Sequence, residues 1–212
     1  NHMGQTLNIG ERIELVPMDN HCDGISVALY SHNGAAGDGY LVHTYSSHRS
    51  AQERVGFLQK AMRVLGGLEE GEDHLLRFSC GHDHEQGIKR IFLEACKLSS
   101  VDELHAKPLH VLDKKSGLTV QADCNGAGVY RVTAHGEGND ADRRINLIAG
   151  GLLKLGQMVE VEGHLDTIAF PCSQNHDAMI GLLLVRSPNV RAALREQEMT
   201  ASRGVLAAPS QQ

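Results

Sequence analysis

Whole classes of chemistry are missing from this chain. It has no CxxC pair, no GxSxG nucleophile elbow, no HExxH helix, no kinase signature set and no Walker lysine. Those gaps remove the dithiol and zinc-finger spacings, the α/β-hydrolase serine, the zincin centre and the P-loop. No apolar run approaches the roughly eighteen residues of a membrane-spanning helix, and no leader pattern follows Met3, so no membrane partner is expected. Basic runs and RNP-like aromatic motifs are absent too. With a net charge of -6, that argues against a nucleic-acid partner. The five cysteines, at 22, 80, 96, 124 and 172, form neither close pairs nor an even-numbered framework. The expectation is a cytoplasmic protein with free thiols and no disulfide.

What the chain does have is length, histidine and repetition. At 212 residues it can bury a substantial core, and thirteen histidines are a large stock of ligands or bases. Asn1-His2 ahead of Met3-Gly4 reads as a tag remnant and is left out of the fold reasoning. The repetition shows when residues 24–98 are set beside 117–192. "GISVALYSHNGAAGDGYLVHTYSSH" and "GLTVQADCNGAGVYRVTAHGE" both alternate, break at Asn-Gly and resume at Tyr40 and Tyr130, a hairpin signal. Val55, Leu58, Met62 and Leu65 then match Ile145, Ile148, Leu152 and Leu155 at helical spacing, with Gly66 and Gly156 as stops and Ser50, Asn139 or Asp140 as candidate caps. A short strand and a second helix follow in each half. Cys80, His84, Glu85 and Ile88 recur ninety-two places later as Cys172, His176, Asp177 and Ile180.

The predicted fold is therefore α+β, an internal duplication of a strand-strand-strand-helix-strand-helix unit about a pseudo-twofold axis. The first repeat covers residues 3–100 and the second 101–193; residues 194–212 form a helical tail with a frayed end. The strands "RIELVPM" and "PLHVL" lead the two units. This element order resembles the left-handed βαβ superfamily that includes the second domain of ribosomal protein S5. It also resembles imidazoleglycerol-phosphate dehydratase, which has two such units and a metal-binding histidine motif opening a helix. That family's adjacent His-His followed by Glu is not present: Asp83 separates His82 from His84, and Glu85 follows directly.

The matched clusters carry the chemistry. Strand alternation puts Leu76, Phe78 and Cys80 on one face and Ile168, Phe170 and Cys172 on its counterpart, so both cysteines read equally as small buried hydrophobes. A strand end feeding a helix start also lowers a thiol pKa and favours anions. Asp83 and Asn175 suit the N-cap. His84 and His176 fall in the first turn, where the neutral ring is favoured as ligand or base. If the halves meet, Cys80, His84, Cys172 and His176 make a four-ligand set for zinc or another divalent metal. If they do not, each cluster could build a site across the interface of a homo-oligomer, with His82 or another histidine as an extra ligand.

Two functions are open at this point. One is a cytoplasmic enzyme acting on a small polar metabolite, a metal-dependent hydrolase or lyase. There Glu85 or Asp177 carries the proton; without metal, His84 or His176 is the base and Cys80 a nucleophile. The other is a non-catalytic duplicated binding or scaffold protein whose clusters are caps and core thiols. Secondary candidates are "NHCDG" at 20–24, read as a turn, and "NGAAGDG" at 33–39, read as a hairpin tip. His43, Tyr45 and His48 are pocket-lining candidates, and Arg54 and Arg144, at equivalent helix starts, suit anions or ion pairs.

Overall fold

The computed structural model describes residues 11–22, 24–34 and 37–207. Met3, Asp23 within the "NHCDG" stretch, Ala35 and Ala36 of the hairpin tip, and the end of the tail lie outside the described residues. In the first half, β1 (Glu11–Cys22), β2 (Ile25–Gly34) and β3 (Gly37–His43) lead into α1 (Arg49–Gly66). Then come β4 (Glu69–Glu70), β5 (Leu76–Arg77) and α2 (Glu85–Cys96). The second half repeats the order with β6 (His110–Asp113), β7 (Leu118–Cys124), β8 (Val129–His135), α3 (Ala141–Leu155), β9 (Val159–Val161), β10 (His164–Ala169) and α4 (Asp177–Arg186). A last helix, α5 (Val190–Ala207), completes the chain.

Each half holds a five-stranded antiparallel sheet, ordered β1-β2-β3-β5-β4 and β6-β7-β8-β10-β9. The register repeats as well: Tyr40 pairs with Leu76, and Tyr130 with Ile168. Duplication of an α+β unit is thus visible in strand order, pairing and helix placement together. One element differs from expectation. The unit contains an additional edge strand, β4 or β9, between its first helix and the strand carrying the cysteine cluster. These strands are two and three residues long, too short to alternate visibly. The left-handed βαβ arrangement is a finer matter than the antiparallel pairings describe.

Alternation turns Val27, Leu29, Tyr40 and Val42 of the first sheet, and Val120, Ala122, Tyr130 and Val132 of the second, into one continuous core. Leu58, Met62, Leu65, Ile148, Leu152 and Leu155 close it from the helices, as their spacing requires. Glycine permits the tightest approaches. A Cβ on Gly66 would lie 2.6 Å from Ile91 of α2, and one on Gly87 would lie 2.2 Å from the sulfur of Met179 on α4. Gly66 therefore serves helix packing, while Gly67, at φ 64°, forms the left-handed stop and donates to Arg63 O. α1 and α3 carry no side-chain cap bond; their N-caps are His48 and Asp140, not the Ser50 or Asn139 considered above.

α5 returns to the first half. Arg90, fully buried on α2, donates to Ala193 O at 2.5 Å, Gln197 Oε1 at 3.0 Å and Glu196 Oε2 at 2.9 Å. α5 is helical to Ala207, and its first turns are anchored. Arg144 forms a two-pronged ion pair with Asp113, one arm at 2.8 Å, and Arg54 donates to Leu98 O and Cys96 O. Both arginines are thus engaged within the protein. Among the described residues no helix is long and apolar enough to cross a membrane.

Candidate metal centre

The two clusters converge. A ligand atom from each of Cys80, His84, Cys172 and His176 lies within 4.8 Å of all the others. Within each half the thiol faces its own imidazole: Cys80 Sγ is 3.3 Å from His84 Nε2, and Cys172 Sγ is 3.2 Å from His176 Nε2. Between the halves the two imidazole centroids are 4.5 Å apart. A tetrahedral zinc with Zn–S about 2.3 Å and Zn–N about 2.05 Å separates its ligand atoms by about 3.4–3.8 Å. The intra-half pairs already sit near that edge length, and the widest pair needs to close by about 1 Å.

Local sequence explains how each half delivers its pair. The strands end at Arg77 and Ala169, and a turn carries Cys80 or Cys172 around before the helix starts at Glu85 or Asp177. Gly81, at φ 73°, turns the first loop; Ser173, at φ 60°, turns the second. The His82 backbone N–H donates to Cys80 Sγ at 3.4 Å, a contact that favours sulfur carrying negative charge.

Two tyrosines hold the histidines in place. Tyr40 Oη accepts from the His84 backbone N–H at 3.2 Å and donates to Asp83 Oδ1 at 3.3 Å. Tyr130 Oη accepts from His176 N–H at 2.8 Å and donates to Asp177 Oδ1 at 2.5 Å. Each hydroxyl thus satisfies a buried donor at a helix start that no side-chain cap serves. Phe78 and Phe170 stand edge-to-face against both imidazoles, at 4.8 and 5.4 Å from Phe78 and 5.4 and 5.0 Å from Phe170. Residue matching found Tyr40 and Tyr130 as repeated positions, but nothing local reveals that their hydroxyls meet the histidine backbone.

This environment sets protonation. Burial lowers the His84 pKa, with the His82 charge adding to it. Burial pushes His176 down from 6.5 to about 4, helped by His84. Both rings are neutral at physiological pH, the form a metal requires. Burial raises the Cys80 thiol pKa, offset in part by the His82 N–H and reinforced by Cys172. A bound cation would reverse that shift by stabilising the thiolate.

The site residues fall as follows. Cys80, His84, Cys172 and His176 are brought together. His82 is exposed, its Nδ1 3.0 Å from Cys80 O, and it stands outside the four. Glu85 is exposed and pairs with Lys89 at 3.2 Å; Asp177 takes the Tyr130 hydroxyl. Burial runs opposite to the strand-alternation expectation. Cys80 and Cys172 sit in turns and are half-buried, whereas His84 and His176 are 5% and 7% exposed. Asp83 and Asn175 do not cap: Asp83 binds Tyr40, and Asn175 Oδ1 accepts from Gly128 N–H at 2.8 Å and the Cys124 thiol at 3.0 Å.

Cys80, Cys124 and Cys172 are free, whereas Cys96 is disulfide-bonded. That corrects the expectation of five free thiols, which used spacing in sequence where a bridge depends on proximity in space. It also withdraws the premise on which a reducing, cytoplasmic compartment was inferred.

Comparison with protein-family models, with curated proteins and with solved structures finds no match.

Proposed function

We propose that this is a zinc-binding protein in which one ion, held by Cys80, His84, Cys172 and His176, staples two duplicated halves into a single rigid body. One observation carries the reading: each half supplies one thiol and one imidazole to the same small volume, 4.8 Å across. Two sulfurs and two imidazole nitrogens suit zinc and disfavour calcium or magnesium, which take oxygen. Four protein ligands fill a tetrahedral shell and leave no position for substrate or water, the mark of a structural centre. One chain provides them all, so no second copy is needed to complete the site. The duplicated body is then a scaffold whose open sheet faces are available to ligands.

A metal-dependent hydrolase or lyase is the second reading, favoured by the half-buried cysteines, which bring the sulfur edge of the centre to solvent. It requires one thiolate to leave the metal during turnover, with Glu85 or Asp177 as proton carrier. Both carboxylates already have partners, Lys89 and Tyr130, and that places this reading second. The test is elemental analysis of protein lacking Asn1-His2 and any tag, purified without chelator. One zinc per chain is expected, falling to background in a His84→Ala/His176→Ala double variant. Metal-free wild type, or zinc retained by that variant, rejects the proposal.

A further inference from the structure

The two sheets are equivalent, but the faces they turn away from the core are not. In the second half that face closes on itself. Gln121 Nε2 donates to Asp123 Oδ1 at 2.5 Å, Thr133 Oγ1 donates to Asp123 Oδ2 at 3.2 Å, and Arg131 pairs with Asp166 at 3.1 Å. In the first half, Arg12 lies opposite His32 across β1–β2, His32 opposite Gly39 across β2–β3, and Tyr30 opposite Leu41. Instead of a closed network there is a cleft of about 190 Å³, lined by Arg12, Tyr30, His32, His43, Asp73 and Leu75 among others.

His32 is only 4% exposed, and its Nδ1 has no hydrogen-bond partner. A buried imidazole nitrogen left without a partner costs about 1–3 kcal/mol, and such a group calls for a ligand or an ordered water. The space above it is built by the chain. Gly39 has no side chain, and a Cβ there would lie 2.8 Å from Leu76 O and 3.2 Å from Leu75 Cβ, so the segment after β4 can cross close over the sheet. That segment holds Asp73 and His74 at φ 57° and 61°, a left-handed backbone in two successive non-glycine residues. Two more polar groups reach the cleft in fixed orientations. The His43 ring stands edge-to-face with Tyr30 at 6.0 Å and Tyr45 at 4.9 Å, and the two tyrosine hydroxyls are 3.3 Å apart.

We propose that this outer-sheet cleft binds a small organic anion, its carboxylate or phosphate head held by the Arg12 guanidinium and the His32 and His43 ring N–H groups. A compact apolar body would lie against Leu41 and Leu75. Arg12 supplies a charge that persists at every physiological pH. Burial and Arg12 both lower the His43 pKa, so that ring acts as a neutral donor. Asp73 at the rim selects against bulky polyanions by repulsion. The volume admits a molecule of about a dozen non-hydrogen atoms, not a nucleotide.

The test is independent of the metal centre. Tag-free, metal-loaded protein is titrated with benzoate in one arm and inorganic phosphate in the other, while the ring signals of His32 and His43 are followed by long-range 1H–15N NMR. Saturable shifts at both histidines are expected with at least one probe, and the arm that saturates identifies the head group. Arg12→Gln and His32→Gln should each weaken the dissociation constant about ten-fold or more. Arg131→Gln, at the self-satisfied face of the other sheet, should leave it unchanged. Thermal unfolding checks that each variant is folded. His32→Gln that fails to fold leaves Arg12→Gln, on an exposed side chain, as the deciding variant. Absence of saturation with both probes, or binding that Arg12→Gln does not weaken, overturns the proposal.

Discussion

Tyr130→Phe removes one oxygen from a ring that is fully buried and otherwise keeps its shape. No cavity opens beyond the hydroxyl, so the cost comes from hydrogen bonding. The His176 backbone N–H loses its 2.8 Å acceptor at a helix start that no side-chain cap serves, and Asp177 loses a 2.5 Å donor. The carboxylate is exposed and regains water; the amide cannot, and stranding a buried donor costs about 1–3 kcal/mol. For a chain of this size 1 kcal/mol moves Tm by about 2–4 °C, so a drop of about 2–12 °C is expected by circular dichroism. The same bond fixes the backbone that presents His176, so zinc affinity measured against a competing chelator should fall about ten-fold, as for other supports of metal ligands. Tyr40→Phe should act in the same direction but more weakly, because its bonds are longer, at 3.2 and 3.3 Å. A Tyr130→Phe protein with unchanged Tm and unchanged zinc affinity would refute the reasoning.

Other outcomes follow from the same geometry. In metal-free protein the folded His176 pKa lies near 4, below its value of 6.5 when unfolded. The unfolded chain therefore binds more protons between those values. Stability from this group, about 2–3 kcal/mol, is complete above pH 6.5 and is lost as pH falls towards 4; denaturant titrations at several pH values should show that slope, and a flat profile would contradict it. Gly87→Ala should destabilise by about 1–3 kcal/mol because its Cβ would sit 2.2 Å from Met179 Sδ, and Met179→Ala should rescue it. Gly181→Ala meets the Lys107 backbone oxygen at 2.2 Å and should cost more, with no side-chain rescue; equal costs would argue against rigid packing there. Thiol titration of denatured, unreduced, chelated protein should find Cys80, Cys124 and Cys172 reactive and Cys96 reactive only after reduction; a Cys96 thiol that reacts before reduction would remove its bridge.

Much of the fold was legible in the residues. The Asn-Gly breaks, Tyr40 and Tyr130, and the matched helical registers gave the order and the duplication, because each is a local signal that alternation or 3.6-residue spacing writes into sequence. β4 and β9 escaped because a two- or three-residue edge strand has no period to read. At the site, the four ligands were legible as a repeated Cys-x3-His, but their burial was not. His84 packs against Phe170 and His176 from the other half as well as Phe78 from its own, and no window of sequence around residue 84 carries the cross-half contacts. Strand alternation likewise carried Cys80 inward, although the strand stops at Arg77. The hydroxyls of Tyr40 and Tyr130 show the same limit: the positions repeat visibly, and the contacts form only in the folded chain.

The measurement that bears most directly on a metal held between the halves is cobalt(II) substitution of the tag-free protein. One cobalt per chain should give the intense visible bands of a tetrahedral ion together with thiolate-to-cobalt charge transfer. That charge transfer should fall by about half in Cys80→Ser and again by about half in Cys172→Ser, since each half contributes one sulfur. A pale octahedral spectrum, or charge transfer that survives intact when either cysteine is replaced, would contradict the account.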